Sequence, residues 1–301
     1  MTHPAAPTPG SPGAMSVRRL NVDLSQGFPR HWNGGDAYRS TVFNALSFLF
    51  PVGEQFFIDA VRYYAKDIQE QGNTRLTEDI KHFTAQEAIH RHLHAQYNDE
   101  LRKMGYDGWA ERAIARLVDT FAGKIPRVDL ASTVAYEHFT ALLGDGLLRY
   151  DSWTRDMTPE MKMVWTWHAA EESEHKAVAI DTYNATGGGY FVRIALFLFT
   201  TVEFFTYSFI QTVKMLKHDG VLWKWSTWRS AFKFWWGHEG VGPHFFKHWL
   251  AFFKPSFHPW QHDNRDLLAR WEAEHAGDYR EVAAARHPAA APSILASHPS
   301  A

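Results

Sequence analysis

Apolar residues recur at helical spacing along most of the chain, and strand-type alternation is scarce. The pattern predicts an all-α protein. From about Ser40 one apolar stripe runs through Phe43, Leu46, Phe50, Phe57 and Val61, with Pro51 as a kink and Glu54 in its middle. Asn73 or Thr74 caps the next helix, which is expected to reach about Met104 before Gly105. Its inner stripe holds Phe83, Glu87, His90, His94 and Tyr97. A shorter segment, Trp109 to Phe121, is bounded by Gly108 and Gly123 and reads as part of a long connection. A third long helix starts after Pro126 and reaches about Arg149. It carries Glu137, with the small residues Ala141 and Gly144 one and two turns on. The fourth begins with Thr158 as cap, Pro159 at the first helical position and Glu160 in the first turn. Its stripe is His168, Glu172, His175 and Ala179, and it is expected to stop at Gly187-Gly188-Gly189.

Two of these helices carry the same chemistry. Glu87-Ala88-Ile89-His90 and Glu172-Ser173-Glu174-His175 are both Glu-x-x-His pairs. On a helix that spacing puts a carboxylate and an imidazole on one face, about one turn apart, where they can share a metal ion. Each pair follows a lone Glu on the preceding long helix: Glu54 lies 33 residues before Glu87, and Glu137 lies 35 before Glu172. The metal ligands expected are therefore Glu54, Glu87, His90, Glu137, Glu172 and His175. This is the ligand set of a ferritin-like dinuclear carboxylate bundle. Glu172 is preferred to Glu171 because it keeps the spacing of three; Glu174 is expected to face elsewhere. His94, His168 and Glu171 are read as neighbours that orient the ligands, with His94 and His168 open as further ligands or, for His94, as a proton relay or a core histidine. The alternative, a set of surface salt bridges, accounts poorly for Glu54, since a carboxylate on an apolar stripe is costly to bury unpaired.

The fold expected is thus a ferritin-like four-helix bundle with additional C-terminal helices. Residues 1–37 are expected to be a disordered or irregular leader, 38–189 the bundle with its dinuclear site, 190–280 an aromatic-rich helical extension and 281–301 a disordered tail. The run 190–216 is strongly apolar, broken by Arg193, Glu203 and Lys214. A buried or dimer-packing helix is the favoured reading, with interfacial membrane contact and a full span as alternatives. Between residues 223 and 260 stand Trp223, Trp225, Trp228, Trp235, Trp236, Trp249 and Trp260, interleaved with Lys224, Arg229, Lys233, Lys247 and Lys254. That composition fits a membrane-interface anchor or a layer covering the bundle.

Composition narrows the function. The net charge is −2, which argues against a nucleic-acid partner held by bulk electrostatics. There is no cysteine, so disulfides, Fe–S clusters, thiolate zinc sites and a cysteine nucleophile are excluded. A cytoplasmic location, with membrane association as an alternative, is expected, and the start, rich in Pro, Ala, Gly and Thr, lacks a secretory pattern. No phosphate-binding Gly loop, nucleophile elbow or His-Glu-x-x-His motif occurs. Oxygen and nitrogen ligands suit two metal ions, iron first, manganese or zinc otherwise.

The stretches Phe50-Pro51-x-Gly53-Glu54, Gln86-Glu87-x-x-His90-x-x-x-His94, Tyr136-Glu137-His138 and Glu171-Glu172-x-Glu174-His175-Lys176 resemble the bacterial family labelled "predicted metal-dependent hydrolase", over roughly residues 25–280. That resemblance implies hydrolysis of an ester or amide. The ligand pattern is also similar to the ferritin-like superfamily, which implies a di-iron, O2-dependent oxidase or oxygenase on an apolar or lipid-like substrate, with an electron donor as partner. This oxidative reading is favoured at this point, hydrolysis is the alternative, and a non-enzymatic iron-binding bundle is a third. Many di-iron oxygenases carry Asp-Glu-x-Arg-His; here Gln86 and Ile89, then Glu171 and Glu174, stand at the Asp and Arg positions. No catalytic residue beyond the ligands is assigned. A small apolar substrate, a peripheral membrane contact and a homodimer complete the expectations.

Overall fold

The computed structural model describes residues 15–283. The leader and tail expected at 1–14 and 284–301 lie outside the described residues. The described chain is helical apart from two three-residue strands. The first apolar stripe is two helices, α1 (Ala37–Ser47) and α2 (Phe50–Tyr63). Pro51 opens the second, because its ring supplies no N–H and crowds the carbonyl one turn earlier. After α3 (Ala65–Glu70) comes α4 (Thr74–Lys103), whose start is held by the Asn73 side chain accepting from the Leu76 amide. Then follow α5 (Trp109–Phe121), α6 (Pro126–Arg149), α7 (Asp151–Thr154) and α8 (Pro159–His175).

One expectation fails here. The fourth long helix does not run to Gly187; it ends at His175, and α9 (Val178–Ala185) resumes after Lys176 and Ala177. Lys176 is buried at the break, where its ammonium donates to the His262 carbonyl and Asn264 and lies over the Trp260 ring. Helical periodicity carries no record of those distant partners.

Helices α2, α4, α6 and α8 pack side by side and form the inner layer. Around it lie α10 (Tyr190–His218), α11 (Trp225–Trp236), α12 (Val241–Ala251) and α13 (Arg265–His275). α10 packs on α1, α5 and α6, while α13 closes over α6 and α8. Two of the three charges that interrupt α10 turn inward, while Lys214 is exposed: Arg193 donates to the Lys254 carbonyl, and Glu203 accepts from the Tyr136 hydroxyl. Phe139 of α6 is wholly buried and touches Phe197, Phe204 and Phe205 of α10 and Phe245 of α12, so it ties the outer layer to the inner one.

A second correction concerns residues 15–37, which are not irregular throughout. Strand β1 (Arg18–Leu20) pairs antiparallel with β2 (Tyr279–Glu281), Arg18 opposite Glu281. The two ends of the described chain therefore meet, and the meeting point lies against α8. Two helical stretches, Ala37–Glu70 and Tyr190–His218, are long and apolar enough to cross a membrane by length and composition; 78% of the first window is buried but only 33% of the second.

Phe139→Ala removes the shared contact between layers and leaves a cavity. We expect a loss of about 3–5 kcal/mol, read by denaturant unfolding. A loss under about 1 kcal/mol would mean that the outer layer is held elsewhere.

Candidate metal centre

The geometry begins with helix spacing. On α4, Glu87 and His90 are three apart and share the inner face. On α8, His168, Glu172 and His175 lie at intervals of four and three, on one stripe. Glu54 of α2 and Glu137 of α6 complete a ring of side chains from four helices, all buried. Ligand-type atoms of Glu87, Glu137, Glu172 and His175 lie within 4.8 Å of one another, and those of Glu54, His90 and His168 form a second such group. His175 Nε2 is 3.0 Å from Glu87 and 3.5 Å from both Glu137 and Glu172. His90 Nδ1 is 3.4 Å from Glu172 and 3.7 Å from Glu87. Glu87 and Glu172 thus stand between the two groups.

The outer hydrogen bonds decide which nitrogen each imidazole presents. Gln86 donates its amide to the Ser16 carbonyl and to Glu174, so its oxygen is left to accept from His175 Nδ1 at 2.9 Å. That leaves His175 Nε2 as a lone pair facing the carboxylates. Glu171 accepts the Arg18 amide at 3.0 Å and His90 Nε2 at 2.9 Å, leaving His90 Nδ1 as the inward lone pair. His168 is oriented by a longer chain. Asn98 donates to the Ser47 carbonyl, so its oxygen accepts from Ser47 Oγ at 2.7 Å. Ser47 Oγ therefore accepts from His94 Nδ1 at 2.9 Å, and His94 Nε2 accepts from His168 Nδ1 at 2.7 Å. His168 Nε2 then faces Glu172 at 2.9 Å, sharing a proton with that carboxyl or open to a cation in its place. Such outer partners, which fix tautomer and ring angle, are what metal-ligating histidines require.

The charges agree. Burial raises the pKa of Glu54 and Glu137 well above the carboxylate range; the nearby Glu87 and Glu172 reinforce this. Burial acts the same way on Glu172, but His175, His168 and His90 outweigh it and hold that carboxyl low. Burial alone would lower His90 and His175; the surrounding carboxylates raise both instead. His94 and His168 are lowered by burial and by the proximity of His90, so they stay neutral. Both oxygens of Glu54, Glu87 and Glu137, one of Glu172, His90 Nδ1 and His175 Nε2 lack a well-aligned hydrogen bond. Buried carboxyl groups in that condition must take up either a proton or a cation. Four carboxylates and three imidazole lone pairs fit a metal site, and they are hard and borderline donors with no sulfur.

Placement relative to the sequence-level expectations is mixed. Glu54, Glu87, His90, Glu137, Glu172 and His175 are brought together. His168 joins them directly. His94 does not; it stands behind His168 as its support, and Glu171 stands behind His90. Glu174 does face away from the carboxylate ring, and it anchors both Gln86 and Arg18, the latter at 2.7 Å. Arg18, Ser47 and Asn98 escaped sequence reasoning. Gln86 and Glu174 could have been suspected from their places beside the Glu-x-x-His pairs, but Arg18 has no local signal, since its partners lie more than 150 residues away.

Glu87→Ala and His175→Ala should each abolish metal binding, measured by mass spectrometry on untagged protein; full loading in both refutes the site. Gln86→Ala frees the His175 ring and should weaken metal affinity by roughly 10–100-fold in a chelator competition.

Below the fold and the geometry lies a wider likeness. No curated protein matches the chain, and no solved structure matches it. A family model described as predicted metal-dependent hydrolase matches residues 16–263, which include every residue of the site. The protein belongs to this predicted metal-dependent hydrolase family.

Proposed function

We propose that the protein is a hydrolase that uses two divalent ions to cleave an ester or amide on an apolar substrate. The family match supports hydrolysis over oxidation. The observation that carries the proposal is the meeting of the buried donor ring with apolar space. A cavity of about 670 Å³ lies between α1, α6, α10 and α11, lined by Phe43, Leu46, Leu143, Leu147 and other apolar residues. A second of about 530 Å³, on the far side of Phe50 and Thr140, is bounded by Phe57 and Tyr136. A narrow gap of about 20 Å³ shares walls with both and reaches His168 and Glu172. Gly144 is part of that gap, and a Cβ there would stand 2.9 Å from the Ala169 carbonyl, so glycine keeps α6 close to α8.

In this reading the four helices are a ferritin-like bundle, and Glu87 and Glu172, which stand between the two donor groups, would help to hold both ions. Glu54, His90 and His168 complete one side; Glu137 and His175 complete the other. Ions held there would supply the positive charge needed to acidify a water and polarise a carbonyl. The chain's residues do the rest. The apolar walls bind the substrate's hydrocarbon part and exclude bulk water. The Gln86, Glu171 and His94 supports hold the ligand rings in place, so little reorganisation is needed.

A second reading, di-iron and O2-dependent, is favoured by one observation: a sulfur-free, carboxylate-dominated donor set on four helices. It would need an electron donor.

Metal analysis of untagged protein separates the two. Zinc or manganese, with turnover of apolar esters or amides in the absence of O2, is expected for hydrolysis. Iron near two per chain with O2 uptake would overturn it in favour of oxidation, and full metal loading with neither activity would leave a binding bundle. Leu143→Trp, which fills the wall shared by the large cavity and the gap, should cut turnover about 10-fold or more through misplacement of substrate while leaving metal content unchanged.

A further inference from the structure

Among the described residues none covers the outer face of α10. Phe191, Leu198, Phe199, Val202 and Phe209 are exposed along one side, over about 27 Å of helix. The charged residues of 190–213 are Arg193 and Glu203, and both turn to the opposite, buried side. That buried side is committed: Phe197 and Phe204 pack on Phe139, and the Gln211 side chain accepts from the Ala110 amide and donates to the Asp107 carbonyl. A helix held this way lies along a surface and does not cross one.

Next to it, Trp223 and Trp225 are 90% and 79% exposed with Lys224 between them, and α11 adds exposed Phe232 and Trp236 beside Arg229 and Lys233. The rings of α10 and α11 share one rim, since Phe209, Phe232 and Trp236 all line the larger cavity. Phe199 lines the smaller cavity with Phe121 and Ile125, which are also exposed. Both cavities therefore open through the same apolar face. Residues 190–256 hold eight Lys and Arg against three Asp and Glu, in a chain whose net charge is −2. Cations with tryptophan around an uncharged apolar face match the interface of an anionic bilayer; a protein partner of ordinary polarity gains nothing from that excess.

We propose that the face formed by α10 and α11 rests on an anionic lipid bilayer, Trp223 and Trp225 at headgroup level, and that the cavities opening there draw an alkyl chain from the lipid toward His168 and Glu172. The docking is independent of the reaction assigned above; the alkyl substrate class rests on it.

The test is co-sedimentation of the full, metal-loaded chain with vesicles of phosphatidylcholine alone and of equimolar phosphatidylcholine and phosphatidylglycerol. Binding is expected on the mixed vesicles and much less on the neutral ones. Lys224→Ala and Lys233→Ala should each weaken it about fivefold. Val202→Asp, at an exposed position, should abolish it without changing the circular dichroism spectrum or metal content. Glu87→Ala should bind vesicles like the unaltered protein, so a wrong metal assignment does not imitate a wrong docking face. No sedimentation with either vesicle, or undiminished binding by Val202→Asp, overturns the proposal. So does a solution dimer that Val202→Asp dissociates while vesicle binding is absent.

Discussion

Seven side chains, four carboxyl groups and three imidazoles, face one another in a dry interior, and the rest of the structure exists to hold them there. Glu54, Glu87, Glu137 and Glu172 crowd one another, so that Glu54 and Glu137 are pushed toward the neutral form, and His90, His168 and His175 each turn one ring nitrogen toward them. Left alone, such a cluster would protonate or open to water. It persists because the helices that carry it are packed on all sides and because every imidazole is fastened from behind. The outer bonds set the tautomers, and the tautomers set the demand for positive charge.

This organisation explains features that look unrelated. Glu171 and Glu174 occupy the back of α8, where they meet Arg18 of the short strand and Gln86 of α4. The antiparallel pairing of β1 with β2 brings the two ends of the described chain to that same back face, so closure of the chain and support of the His90 and His175 rings are one event. Ser47 and Asn98 serve His168 from the other side through His94. The site is thus supported on two fronts, while its remaining side meets the apolar gap at Phe50, Leu143 and Gly144. Polar scaffolding lies behind the ligands and hydrocarbon in front of them.

The outer helices follow the same division. α10 satisfies its own buried charges inward through Tyr136 and the Lys254 carbonyl, and it lends Phe197 and Phe204 to the core. What it leaves outside between Tyr190 and Val213 is uncharged. The break at Lys176 has a parallel logic: a buried ammonium with carbonyl, amide and ring partners fixes where the C-terminal layer meets the end of α8.

Local rules were enough for helix type, most helix starts and the inner stripes, because capping, proline position and a period of 3.6 residues act within a turn or two. The Glu-x-x-His pairs and their preceding Glu residues were legible for the same reason: a ligand pair on one helix is a local fact. The sequence also exposed the charge-poor run at 190–213 and the aromatic, cation-interleaved character of residues 223–260. Tertiary structure decided the rest. Only packing could turn His168 inward and His94 behind it, since both lie on inner stripes and spacing alone does not rank them. Only chain closure could bring Arg18 to Glu171 and Glu174. Only the contact between α1, α6, α10 and α11 could create a cavity that shares walls with the gap reaching His168 and Glu172. Hydrogen-bond direction, burial and cavity shape depend on groups far apart in the chain, and no periodicity along it records them.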